Sequence, residues 1–456
     1  MHRILCLLLL AAIPLWAADL RLGVAAVKIT PPPGMPMAGY YYDRAAEGVH
    51  DDLQAKALVL EKDGVKAALV ACDLASLSRP IVEEARKLIE QATGIPGARV
   101  MLSATHCHTG PVLLGRSSRD DRQSATRDIA RQYVAGLPAK IAESVKLAGA
   151  NLKPARLSLA IGREESLSFN RRFFMKDGTV GWNPGKLNPN ILRPAGPIDP
   201  DVAVAYFETP DARPLATYVN FAMHLDTVGG LQFSADYPFT LAALLAKVKG
   251  PDMLTLFTIG AAGNVNHIDV KTRAPQKGHE EAARIGTVLA GEVLKSYTRL
   301  KPVNATALQV RTEIVKLPLP EIKPGELEKA REVAPKYGKP NAAPFLDFVQ
   351  AFKVLDVTAR EGKPLEAEVQ VIALGDQLAW VALPGEIFVE LGVAIKQASP
   401  FPCTIVVELA NGSVGYVPNR KAYPEGAYEV VSARCAAGSG EKLVEAALRM
   451  LKELHP

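Results

Sequence analysis

Cysteine is scarce: the chain has five in 456 residues, and Cys6 falls inside an apolar N-terminal stretch. The other four, Cys72, Cys107, Cys403 and Cys435, are too few in so long a chain to build a disulfide framework. Beyond the N-terminus no stretch reaches ~18 uninterrupted apolar residues, which excludes a conventional spanning helix there. Charge of one sign is also missing: the net charge is only +5, with no Lys/Arg run and no basic-aromatic stripe. Nucleic acid is thereby set aside as a partner. No internal repeat and no low-complexity segment is visible. What remains is a globular composition, 48% hydrophobic and 22% charged, long enough to bury a large core.

Met1-His2-Arg3 is a short basic region, Ile4 to Trp16 an apolar one, and Ala17-Ala18 a small-residue cleavage site. This is the pattern of a signal peptide over residues 1–18, and the apolar part is too short to span a bilayer. The expectation is a secreted or periplasmic chain whose residues 19–456 form a single domain.

Along the chain, strand and helix patterns alternate. Leu20 to Thr30 alternates as a strand, and Ala55 to Leu60 and Val65 to Asp73 form a hairpin about Asp63-Gly64. Pro80 to Ala92 has helical spacing and Val100 to His108 reads as the next strand, so a parallel pairing across a helix is predicted. Arg127 to Leu147 is a second helix, and Leu157 to Ile161 a short strand. Phe169 to Pro200, rich in Asn, Pro, Gly and Arg, reads as a long irregular loop of the kind that carries function. Strands at Val202–Phe207, Leu215–His224 and Met253–Ile259 flank helices at Pro238–Val248 and His279–Leu294. Residues 318–344 are Pro/Lys/Glu-rich and are predicted to be a surface excursion with one helix, Glu326–Val333. A hairpin about Gly375-Asp376, a helix over Glu386–Gln397, a strand over Thr404–Leu409 and a closing helix over Glu441–Leu454 follow. The fold class is α/β (α+β), a layered mixed sheet flanked by helices.

The chemistry gathers at strand ends. In Ser103-Ala104-Thr105-His106-Cys107-His108-Thr109-Gly110-Pro111 a strand pattern runs into two histidines spaced i, i+2. On a strand they share one face, with Cys107 on the other. Such a pair is half of a site for a zinc-type ion. Asp73, His224, Asn264, Glu386 and Tyr416 also close strand patterns. Each alone has a plainer reading; Glu386, for one, opens a predicted helix where the dipole favours a carboxylate. Active sites of open α/β sheets collect at the carboxyl ends of strands, so these groups can converge. Three histidines and a glutamate suit catalytic zinc, with a position left for water. A metallo-β-lactamase-type site wants HxHxDH, which Thr109-Gly110-Pro111 does not supply.

In order, LRLGVAAVKITPPPGMPMAGY, SATHCHTGP, FNRR, NFAMH, LPGE and NGSVGYVPNRKAYPEGAYE resemble the neutral/alkaline ceramidases across nearly the whole mature chain. The resemblance implies a ceramidase-like catalytic domain with Zn²⁺ held by His106, His224, Glu386 and Tyr416. It implies His108 as a second imidazole beside the metal, and Arg171 and Tyr428 in contact with substrate or a developing oxyanion. The reaction implied is hydrolysis of an N-acyl amide. Two features depart from the family. Its Gly-Asp-Val-Ser-Pro-Asn stands here as Gly263-Asn264-Val265-Asn266-His267-Ile268, so Asn266 takes the place of the serine, and no C-terminal β-sandwich follows.

Two functions are therefore carried forward. One is an exported zinc hydrolase acting on a small-molecule or lipid amide, with peripheral membrane contact, His108 or His267 as proton shuttle, and Asn264 and Asn266 as donors to substrate or oxyanion. The alternative is a catalytically degenerate metal- or lipid-binding relative without turnover, which the missing serine favours. A structural metal site in an adhesion protein is the weaker third, because structural zinc ordinarily has cysteine ligands.

Overall fold

A computed structural model describes residues 20–115, 117–122, 127–339 and 342–455; the expected signal peptide lies outside them. One topology recurs three times. In the first unit β1 (Arg21–Lys28), β2 (Gln54–Lys62) and β3 (Val65–Cys72) run antiparallel, α1 (Arg79–Thr93) crosses over, and β4 (Val100–Ala104) returns parallel to β3. Asp63 and Gly64, both at positive φ (49° and 76°), form the tight β2–β3 turn. Pro80 lies in the first turn of α1 and Gly94, at φ 72°, ends it. Then α2 (Arg127–Ala150) packs back over β1 and β2.

The second unit repeats this with β5 (Arg156–Arg163), β6 (Asp201–Glu208), β7 (Pro214–Phe221), α3 (Tyr237–Lys249), parallel β8 (Leu254–Ile259) and covering helix α4 (His279–Ser296). The third has β9 (Leu308–Leu317), an inserted pair α5 (Glu326–Val333) and α6 (Phe345–Thr358), then β10 (Leu365–Leu374), β11 (Leu378–Ala382), α7 (Val389–Ala398), parallel β12 (Cys403–Val407) and covering helix α8 (Ser439–Leu454). No sequence repeat betrays this, because each strand needs only apolar side chains at the right alternation, and many residues meet that need.

The inner faces of the three sheets share one core, in which Leu58 and Leu69, Phe207 and Tyr218, and Trp380 and Ile405 are all buried. Helices cover the outer faces. At one end the sheets are stitched together: Ala104 N donates to Leu409 O (3.1 Å), Asn411 N to Leu102 O (2.7 Å), and Glu408 N to Ile259 O (3.2 Å). The carboxyl ends of the third and fourth strands of the units meet there.

The expected β3–β4 parallel pairing is present, and the four cysteines are buried and unpaired. Three expectations are corrected. The strand predicted to carry both histidines stops at Ala104, and His106 adopts φ 73°, which no strand residue does. Glu386 does not open a helix; it sits in a two-residue strand, and α7 begins at Val389. Residues 169–200 are not wholly irregular, since Arg172–Met175 pairs with Val180–Trp182 and Ile191–Pro194 in a small sheet. The helix expected at Glu326–Val333 is present with those bounds; it pairs with α6 and packs with Tyr41. All three connections between first and second strands reach toward the same end of the molecule. They carry Tyr41, Arg171 with Trp182, and Phe345, which lie in one aromatic cluster around Tyr428.

Candidate metal centre and active site

After β4 the chain turns sharply: Thr105 N donates to Cys72 O (2.9 Å) and His106 N to Leu74 O (2.9 Å). This turn and the positive φ swing the buried His106 ring so that Nδ1 faces Ala75 O at 2.7 Å. A carbonyl needs a donor, so the ring proton is on Nδ1 and Nε2 carries a lone pair. His224, fully buried just past β7, repeats the arrangement, with Nδ1 donating to Ala262 O at 2.9 Å. Its Nε2 has no hydrogen-bond partner.

Glu386 Oε2 lies 3.5 Å from His106 Nε2 and 3.4 Å from His224 Nε2, and it too lacks a hydrogen-bond partner. Three acceptor atoms therefore converge on a buried gap, where two of them, His224 Nε2 and Glu386 Oε2, have no donor and His106 Nε2 meets only the His108 imidazole. Burial, Arg171 and His106 pull His224 down to about 3, and burial with the neighbouring imidazoles holds His108 well below its ordinary value. Burial raises Glu386, but His106 and His224 outweigh it and keep the carboxyl well below the usual range. At neutral pH the gap thus faces the neutral imidazoles of His224 and His108 and the Glu386 carboxylate, donors that suit a zinc-type ion.

His108 completes the cluster. Its Nε2 is 3.2 Å from His106 Nε2, and one ligand atom each from His106, His108 and His224 lies within 4.8 Å of the others. The two imidazoles meet through the turn and not across a strand face; Cys107 between them is buried and bridges to Leu225. The Ala75 and Ala262 carbonyls orient His106 and His224, the way the outer partners of metal-ligating imidazoles do.

Tyr416 faces Glu386 across the two-residue parallel ladder Glu386–Ile387/Tyr416–Val417. Its hydroxyl accepts from Arg171 Nη2 at 3.0 Å. Arg171 is buried, and the same Nη2 donates to Gly263 O (2.7 Å) while Nε donates to Glu429 (2.8 Å). Arg172 joins that carboxylate at 3.1 Å and also pairs with Glu425. Arg171 is thus a fixed donor held against the phenol. Tyr428 is half-buried, its ring 5.4 Å from Tyr416 and 4.5 Å from Trp182. Beside them a cavity of about 410 Å³ is lined by Tyr41, Arg119, Glu386, Tyr416, Tyr428 and Arg434, among others.

The turn after β8 serves the framework. Asn264 Oδ1 accepts from Val389 N (2.8 Å) at the start of α7, and Nδ2 donates to Glu390 (2.9 Å). Asn266 Oδ1 accepts from Ile268 N (3.0 Å), and Nδ2 donates to Asn183 (3.2 Å). Both amides thus help to hold the turn, and each Nδ2 keeps a second N–H beyond the one donated here. His267 Nε2 faces Gln276 O at 2.7 Å, which orients the ring into the framework and leaves buried Nδ1 without a partner. Asp73 accepts from Gln54 N (2.9 Å) and Thr105 Oγ1 (3.4 Å), a structural role.

No protein-family model matches the chain. Solved structures do. A neutral ceramidase from Pseudomonas aeruginosa superposes with a TM-score of 0.73 at 19% identity, over 96% of this chain and 75% of its own. A ceramidase complexed with C2 gives 0.72 at 18%, over 96% and 76%. This is a neutral ceramidase-like fold. In it the segments that resemble ceramidases, though scattered in sequence, meet at one place: SATHCHTGP brings His106 and His108, NFAMH brings His224, and LPGE brings Glu386. FNRR brings Arg171 against the Tyr416 of NGSVGYVPN.

Several residues that frame the site carry only weak signals in the sequence. Glu429 directly follows Tyr428 and anchors both arginines; a lone acid in Ala427-Tyr428-Glu429-Val430-Val431 was the available signal. Glu408 interrupts the apolar run Thr404-Ile405-Val406-Val407, an irregularity a buried strand does not tolerate without a partner. Tyr41, in the loop triplet Tyr40-Tyr41-Tyr42, and Phe345, the first residue of α6, are far apart in sequence.

Proposed function

We propose that this protein is an exported zinc-dependent hydrolase that cleaves an N-acyl amide. The observation that carries the reading is the convergence of the His106 Nε2, His224 Nε2 and Glu386 Oε2 lone pairs in a buried gap. His106, His224 and Glu386 would hold the ion, with Tyr416 or His108 completing its shell. Zinc bound there supplies Lewis acidity toward an acyl carbonyl and acidifies water.

The chain's own groups do the rest. The Ala75 and Ala262 carbonyls keep His106 and His224 in the tautomer that presents Nε2. Arg171, held by Glu429, directs its guanidinium at the Tyr416 hydroxyl, which keeps positive charge where an acyl oxygen would gain negative charge. The orphaned Nδ1 of neutral His108 is an acceptor for a proton at the edge of the cluster. The aromatic wall of Tyr41, Trp182, Phe345 and Tyr428 offers an apolar surface that suits an acyl group. Exposed Tyr42, Phe345 and Leu346 are apolar groups for peripheral contact with a lipid surface.

A second reading has an observation of its own: Asn266, which cannot act as a nucleophile, occupies the place of the family's serine and is hydrogen-bonded to Asn183 and Ile268, which suits a metal-binding relative without turnover. The experiment is a screen of N-acyl amides and esters with zinc-loaded and chelator-treated protein, followed by mass spectrometry of intact protein during turnover. Zinc-dependent amide hydrolysis with no acyl-enzyme supports the proposal. A trapped covalent acyl group overturns its direct-hydrolysis mechanism, and zinc-loaded protein that cleaves nothing favours the binding reading. Sequencing the mature N-terminus tests export, with a start after Ala18 expected.

A further inference from the structure

Glu408 is a fully buried carboxyl just beyond β12, on the seam where the third unit meets the second. Its Oε2 accepts two backbone N–H groups, Ala262 at 3.1 Å and Ile387 at 2.7 Å. Those two residues adjoin the cluster. The carbonyl of Ala262 is what fixes the His224 ring, and Ile387 follows Glu386 directly. Between the two segments the backbones are pressed together: Gly263 N donates to Ile387 O at 2.8 Å, and a Cβ on Gly263 would lie 2.5 Å from Glu386 O. Glu408 Oε1 has no hydrogen-bond partner among the described residues. A lone carboxyl with one idle oxygen is an expensive way to satisfy two amides in a core, unless their relative placement matters.

We infer that Glu408 is a positioning residue for the metal centre: by clamping Ala262 N and Ile387 N to one oxygen, it sets the separation of the His224 ring and the Glu386 carboxylate. The inference rests on His224 and Glu386 holding the ion. Removing an outer-shell group that orients a ligand typically lowers metal affinity about 10–100-fold.

The test uses full-length mature protein stripped with a chelator, and measures zinc affinity by competition with a chromophoric chelator and the thermal midpoint of the metal-free form. Glu408→Gln keeps an acceptor oxygen at the same reach and is expected to bind zinc within about threefold of wild type. Glu408→Asp and Glu408→Asn draw the acceptor back by one methylene and are expected to bind about 10–100-fold more weakly. The control is Glu368, a buried carboxylate that binds Arg79 and Arg86 away from the cluster. Glu368→Asp is expected to lower the thermal midpoint and leave zinc affinity within threefold.

The inference is overturned if the short Glu408 variants bind zinc like wild type, if Glu408→Gln loses tenfold, or if Glu368→Asp weakens zinc as much. Failure of both short variants to fold would make Glu408 a determinant of folding and overturn it also. Failure of the metal reading is separate and visible beforehand: wild type then takes up no zinc, or His224→Ala takes up as much as wild type.

Discussion

Glu386 Oε2 and His224 Nε2 stand 3.4 Å apart, both buried, both acceptors, with no donor between them. They belong to different structural units, so the fold itself brings them into opposition. Replacing Glu386 by Gln puts an N–H into the gap. Metal-free Glu386→Gln is expected to melt no lower than metal-free wild type, whereas the rise in thermal midpoint on adding zinc should nearly vanish. Zinc affinity should fall by more than the about 10–100-fold an outer-shell loss costs. Calorimetry with and without zinc checks both halves.

Glu429 is fully buried and binds Arg171 at 2.8 Å and Arg172 at 3.1 Å. Its removal leaves two guanidinium groups desolvated and underpaired. Glu429→Ala should therefore cost about 3–5 kcal/mol, measured by urea denaturation. Arg171→Lys retains charge but not the fork that reaches Glu429, Gly263 O and Tyr416 together, so turnover should fall steeply while zinc content is kept.

Gly263→Ala places a Cβ 2.5 Å from Glu386 O and 2.8 Å from its carbonyl carbon. Backbone must move. Destabilisation of about 1–3 kcal/mol is expected, with a drop in zinc affinity, because the strand that shifts is the one bearing Glu386.

Burial raises Asp73 to about 6, against the opposing pull of Lys56 and the Gln54 amide. The folded state then holds a proton that the unfolded chain has released, so between about pH 4 and 6 the native form binds more protons and stability falls as pH rises. Asp73→Asn keeps an acceptor for Gln54 N and removes this term. Its stability should match wild type near pH 4 and exceed it by about 2–3 kcal/mol at pH 7, a shift of one unit being about 1.4 kcal/mol. Denaturation curves across pH measure the difference.

Much of this was legible in the chain. The alternation in Val65–Asp73 and the Asp63-Gly64 turn dictate a hairpin by local chemistry, and the hairpin is there. His106, His224 and Glu386 were recognisable because polar groups closing apolar strands are conspicuous. What hid was whatever depends on tertiary geometry. The turn at His106 requires the carbonyls of Cys72 and Leu74, contacts that sequence spacing does not reveal. The threefold topology is invisible because apolar alternation tolerates many residues, and the Asn266–Asn183 hydrogen bond joins residues 83 apart in the chain.

The most direct test of the centre is zinc X-ray absorption on protein loaded with one equivalent of zinc. A first shell of nitrogen and oxygen at about 2.0–2.2 Å, with imidazole scattering beyond it, is the predicted result. A sulfur scatterer at about 2.3 Å would instead assign the ion to a cysteine such as buried Cys107, and that result, or the absence of imidazole scattering, would contradict the His106/His224/Glu386 site.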